Sequence, residues 1–159
     1  MGKSIGEIKT LCTVAERQGT LGEKFARLTK RYASKPTTSC WEIPKYDDHL
    51  ASSFITKNGA GVTNHDIMLY KDRLEHSALF GDNKLFKDFG LRLSLNTHSL
   101  NPKPGFEHGS RTLVFCKDVS NLVPGIKSKC TISPSGGCIF SDLTLDESME
   151  LFKALKKQV

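Results

Sequence analysis

Apolar residues in the first 35 positions recur at intervals of three and four, the spacing that places them on one side of a helix. The first predicted helix ends at Gly19, and its apolar side carries Ile5, Ile8, Leu11, Cys12 and Ala15. The second ends before Pro36, and its narrow apolar stripe carries Leu21, Phe25, Leu28 and Tyr32. Residues 4–7 and 20–23 each match a capping box. The pattern predicts a helical hairpin or arm that either packs on the rest of the chain or projects from it.

The middle of the chain predicts a short strand followed by a third helix. Residues 53–56 suit a strand, and Asn58-Gly59 is a common hairpin-turn sequence. The helix is expected over about residues 64–79, with Thr63 as its cap. Its predicted inward-facing residues are Ile67, Tyr70, Leu74 and Ala78.

The second half changes to the period of a β-sheet. Leu91, Leu93 and Leu95 alternate with polar residues, and residues 112–116 are a short apolar run, so each segment predicts a strand. Residues 129–133 and 138–140 flank a Pro-Ser-Gly-Gly turn and predict a hairpin. A capping box at residues 144–147 begins a C-terminal helix, whose expected inward face carries Leu145, Met149, Phe152, Leu155 and Val159.

These elements together predict the α+β class. We expect an N-terminal helical arm or hairpin, a middle helix, a small antiparallel sheet and a C-terminal covering helix. The expected division is a basic helical arm at residues 1–35 and an α+β body at residues 36–159.

Charge is concentrated in the predicted arm. The 159 residues include 23 Lys or Arg and 17 Asp or Glu, a formal net charge of +6. Residues 1–35 hold eight of these basic residues and three of the acidic ones, so the arm carries +5 of that total. A basic segment of this kind favours an anionic partner.

The second helix presents a basic band beside its apolar stripe. The band consists of Lys24, Arg27, Arg31 and Lys35, with Lys30 at its margin. Such a face suits phosphate groups, although the chain has no recognisable RNA-binding or DNA-binding motif. We therefore expect a non-enzymatic protein that binds nucleic acid, RNA foremost, through these residues and forms homo-oligomers. The design is analogous to viral-type nucleoprotein and matrix assembly proteins, an analogy without a motif behind it.

Two alternatives remain open. In a matrix-type protein the same arm would bind an anionic membrane surface, and an acyl chain on Gly2 would assist it, although Gly6 stands where the acylation pattern has Ser or Thr. In a small hydrolase or transferase, His49 or His65 would face a carboxylate or the Cys40 thiol inside a pocket.

The five cysteines are scattered and odd in number, which favours a reducing compartment. His108, Cys116, Cys130 and Cys138 lack the short Cys-x(2–4)-Cys spacing of structural zinc sites, so neither a metal nor another cofactor is expected. The chain has no run of 18 apolar residues and no apolar segment typical of a secretory signal. We expect a cytoplasmic protein, with a peripheral membrane location as the alternative.

Overall fold

The computed structural model describes residues 5–59, 61–83 and 87–158. Its described residues include three α-helices: α1 (Ile5–Glu16), α2 (Thr20–Ser34) and α3 (Leu145–Lys157). The strands are β1 (Thr38–Glu42), β2 (Leu50–Asn58), β3 (Gly61–Leu69), β4 (Arg73–Asn83), β5 (Leu91–Ser99), β6 (Ser110–Phe115), β7 (Cys130–Ile132) and β8 (Cys138–Leu143). They form one antiparallel sheet in the order β1-β2-β3-β4-β5-β6-β8-β7, so strands β1 to β6 form a meander.

The predicted middle helix and small sheet are wrong, because residues 64–79 belong to β3 and β4 of a large eight-stranded sheet. The buried positions of β3 alternate, but they include Thr63 and His65, so polar residues mask the period of two. The turn into β4 has neither Gly nor Pro and is closed by Tyr70 N–H donating to the Arg73 carbonyl at 2.9 Å. The α+β description therefore holds only in its coarse form.

The other predicted elements are present with altered details. Residues 53–56 lie within the longer β2, and the predicted strands at β5 and β6 and the β7–β8 hairpin are found. The capping box of α3 is formed by Thr144 and Glu147. The box predicted at residues 20–23 is not formed, because Gly19 occupies the N-cap and Thr20 is already helical. The box at residues 4–7 begins at Ser4, outside the described residues.

The three helices pack on one face of the sheet, over two separate apolar clusters. The α2 cluster contains Ile8, Leu11, Cys12, Ala15, Leu21, Phe25, Ala26, Phe54, Ile67, Leu69 and Leu74. The α3 cluster contains Leu91, Leu113, Phe115, Val119, Val123, Ile126, Cys138, Phe140, Leu143, Leu151 and Leu155. Met149, predicted to face inward, is 47% exposed. The N-terminal helices therefore lie against the sheet.

One line of paired residues shows that the two clusters share a face. Directly paired residues on neighbouring strands point to the same side of a sheet. The line crosses six strands through Phe54, His65, Ala78, Ser94, Leu113 and Phe140. Its ends belong to the α2 and α3 clusters, and its central residues are small or polar.

Within the described ranges, no helix has the length and apolarity needed to cross a bilayer.

Candidate functional site

The predicted basic band lies on the surface of α2. Arg27, Lys30, Arg31 and Lys35 are exposed, and Lys24 is half-buried. In the described part of the chain, Lys30 alone of the five forms an ion pair, with Glu16 at 3.8 Å between Nζ and Oε1, and both side chains are about half exposed. An exposed ion pair at that distance contributes little to the stability of the fold. The positive charge of the band is therefore available to an outside partner.

The buried side of α2 fixes the direction of the band. Phe25 is fully buried in the α2 cluster, and the Thr29 hydroxyl lies 2.9 Å from that of Ser52 on β2. At about 100° per residue, the band falls beside this anchored side, and Lys24, Arg27, Arg31 and Lys35 lie within about 80° of one another. Packing of the apolar side thus holds the cations at the surface.

A strip of polar residues fills the sheet between the two apolar clusters, and we call it the polar strip. It consists of His65, His76, Asn96, His98 and Arg111. His65 Nε2 lies 3.2 Å from the Thr56 hydroxyl, and its Nδ1 lies 3.4 Å from His76 Nε2. Tyr32 of α2 packs on both imidazoles, with ring-centre distances of 4.5 and 5.4 Å. The strip therefore begins directly beneath the C-terminal half of α2.

The three histidines of the polar strip are uncharged at neutral pH. Burial lowers the pKa of His65, His76 and His98 to about 4 in each case. For His65 and His76 the Lys35 ammonium lowers the pKa further, and for His98 Lys24 and Arg111 do so. The three histidines therefore add no positive charge beneath the basic band.

At the far end of the polar strip, two hydrogen-bonding groups have no partner in the described part of the chain. The Asn96 amide nitrogen lies 3.2 Å from His98 Nε2, and because that nitrogen can only donate, the proton of His98 is placed on Nδ1. Among the described residues, buried Asn96 Oδ1 and His98 Nδ1 have no partner. His98 also lines a cavity of about 220 Å³ with Thr20, Lys24 and Phe106. Polar groups thus border the band at its N-terminal end.

A second arrangement surrounds His49, which the sequence indicated for hydrolytic chemistry. His49 Nδ1 lies 2.7 Å from Asp48 Oδ1, and that hydrogen bond lowers the pKa of Asp48. Its ring is stacked between Tyr46 and Tyr70, with centre distances of 4.3 and 4.6 Å. Buried Nε2 has no partner among the described residues. This is the geometry of an oriented imidazole base.

The His49 ring lines a shallow, largely apolar cavity of about 720 Å³. Thr10 and Tyr46 supply the hydroxyl groups of its described lining, which holds no serine or cysteine. The predicted pairing of Cys40 with His65 is not formed, because their strand positions point to opposite faces. His65 contacts Thr56, His76 and Tyr32 instead of a carboxylate. Nucleophilic chemistry at His49 would therefore need water.

The cysteines form no disulfide in the described chain. Within residues 5–59, 61–83 and 87–158, no group of three or more His, Cys, Asp or Glu side chains is placed to hold a metal ion. Burial raises the pKa of Cys130 to about 12, and neighbouring Cys138 contributes to the rise.

The sequence indicated the basic band and His49 but missed the polar strip. His76, Asn96 and His98 come together because β4 pairs with β5, and β4 was interpreted as helix. Interpreting residues 73–83 as a strand would have allowed the sequence to predict the polar strip.

No protein-family model matches the chain, and neither a curated protein nor a solved structure shows significant similarity to it.

Proposed function

We propose that the chain binds nucleic acid through the basic band of α2, with RNA as the ligand to test first. The observation that carries this proposal is that four of the five cations have no ion pair among the described residues. They lie along one side of a helix whose packing already holds them in place. Cations presented in this way neutralise backbone phosphates without reading base sequence.

The charge of α2 exceeds what covering the sheet requires. Helix α2 holds four basic residues and one acidic residue, whereas α3 holds three of each. Both helices bury an apolar side against the same face of the sheet. The surplus on α2 therefore supports a role outside packing.

The burial of α2 favours nucleic acid over a membrane surface. An amphipathic helix that binds a bilayer places its apolar side among the lipid chains. Leu21 and Phe25 are instead buried in the α2 cluster. Attraction to anionic headgroups would then be purely electrostatic, so vesicles containing phosphatidylserine belong in the test as a competing ligand.

The experiment compares two charge reversals of equal size on the two helices. Arg27→Glu with Arg31→Glu is expected to weaken binding of a fluorescein-labelled single-stranded RNA by about 10- to 100-fold, measured by fluorescence anisotropy. The matched control is Lys153→Glu with Lys156→Glu on α3, which should change affinity by less than about threefold. Circular dichroism checks that both variants fold. Equal losses in both variants, or none in either, would contradict a specific role for α2.

The Asp48–His49 pair favours a second candidate function, water-dependent ester hydrolysis. His49 Nε2 would take a proton from water, the resulting hydroxide would attack the ester carbonyl, and the leaving oxygen would recover the proton. A chromogenic short-chain ester tests this, with His49→Gln expected to remove the catalysed rate and exposed His108→Gln expected to keep it. A rate no faster than buffer, or one unchanged in His49→Gln, would rule this candidate out.

A further inference from the structure

The sheet has a second face that no described helix covers, here called the open face. Alternation along the strands places on it the neighbours of the residues that face α2 and α3. One line of directly paired residues crosses all eight strands on this face. It runs through Cys40, Ile55, Asn64, Leu79, Leu93, Val114, Ile139 and Thr131.

Six of those eight residues are apolar, so the line is a hydrophobic row that Asn64 interrupts between Ile55 and Leu79. Leu79, near its centre, is 41% exposed, and its paired neighbour Leu93 is half-buried. Eight strands spaced by about 4.8 Å make the row roughly 34 Å long. Monomeric proteins rarely expose large contiguous apolar patches, so a row of this length indicates an interaction site.

Asn64 interrupts the row, and its side-chain oxygen lacks a donor. Asn64 Oδ1 is buried and has no hydrogen-bond partner among the described residues. Because its own chain already shields that oxygen, Asn64 offers a packing partner no accessible acceptor, and the apolar members of the row carry the case for an occupant.

We propose that a second copy of this chain packs on the open face. This surface would account for the homo-oligomer expected from the sequence, and the interface does not depend on RNA binding. The eight strands hold 58 residues in all, and at about 3.3 Å by 4.8 Å per residue the face measures roughly 900 Å². A standard interface buries about 800 Å² per partner, which the open face can supply.

Charge on the open face favours a second copy over nucleic acid. On β1 to β4 the face carries both signs, with more acidic than basic residues: Glu42, Lys57, Asp66, Arg73 and Glu75. Arg73 is already paired with Glu75 at 2.9 Å. These residues therefore give phosphates no net positive charge to bind, whereas an identical surface carries both signs and offers opposite charges to them. In such a dimer both α2 bands remain on the outside.

Sedimentation velocity of the full chain at about 1 and about 100 µM tests the interface, because occupancy depends on concentration. Wild type is expected to form a species of twice 17.6 kDa, and Leu79→Asp to weaken association about tenfold or more. Met149→Asp is the matched control, because Met149 is 47% exposed on α3, across the sheet. Ile55→Asp gives an independent second position on the row.

The two proposals can fail separately. If Leu79→Asp is monomeric and still binds RNA through α2, the open face is the dimer interface. A wild type that stays monomeric at about 100 µM, or a Leu79→Asp variant as dimeric as Met149→Asp, would overturn the inference. Loss of RNA binding in the α2 charge reversal with dimerisation intact supports both proposals.

Discussion

Helices α2 and α3 perform the same packing task with different charges and different surroundings. Each covers an apolar cluster on the same face of one sheet. Helix α3 has equal numbers of acidic and basic residues and begins with a formed capping box. Helix α2 carries a net positive charge, begins at Gly19 without a side-chain cap and borders the polar strip. The comparison distinguishes the apolar side chains that cover the sheet from the basic side chains of α2 that are available to a partner.

The largest effect expected from this comparison is the loss of either core. Phe25→Ala on the buried side of α2 should lower the free energy of unfolding by about 3–5 kcal/mol. Leu151→Ala on the buried side of α3 should lower it by about 2–5 kcal/mol, because both side chains are fully buried. Urea unfolding followed by circular dichroism measures both values. A cost below about 1 kcal/mol for Phe25→Ala would mean that α2 does not rest on the sheet as described.

A change of pH should also distinguish the two helices. Unfolded histidines take up protons near pH 6.5, whereas His65, His76 and His98 take them up only near pH 4 in the folded chain. Between these values the unfolded state binds more protons, so stability falls as pH falls. From pH 7 to pH 5 the free energy of unfolding should drop by roughly 2–5 kcal/mol.

The pH effect should be located at α2. His76→Gln is expected to remove about a third of the dependence, because His65 and His98 remain. His108→Gln, at an exposed position, serves as the control. Protection against hydrogen exchange should fall more in α2 than in α3 between pH 7 and pH 5, because Tyr32 of α2 packs on His65 and His76. Equal stability at pH 7 and pH 5 would contradict the assignment of these histidines as buried and neutral.

The sequence predicted the elements whose apolar pattern and turn residues agree. The stripe of Leu21 and Phe25 identified the packed side of α2, and Thr144 identified the start of α3. It failed at β3 and β4, where His65 and His76 occupy inward positions and the connecting turn lacks Gly and Pro.

Local patterns can find a basic band because its members are neighbours on one helix. They cannot find the polar strip or the open-face row, because both exist only through pairing between strands. His76 reaches Asn96 across the β4–β5 register, and Leu79 reaches Leu93 in the same way. Register depends on the whole sheet and is not encoded in any short segment.

The salt dependence of RNA binding tests the central claim most directly. Four phosphate contacts by α2 predict a slope of about −3 for log K against log salt with single-stranded RNA. Arg27→Glu with Arg31→Glu should make that slope shallower by about 1.4, while the α3 charge reversal leaves it unchanged. A wild-type slope near zero, or the same slope in the α2 variant, would contradict the account.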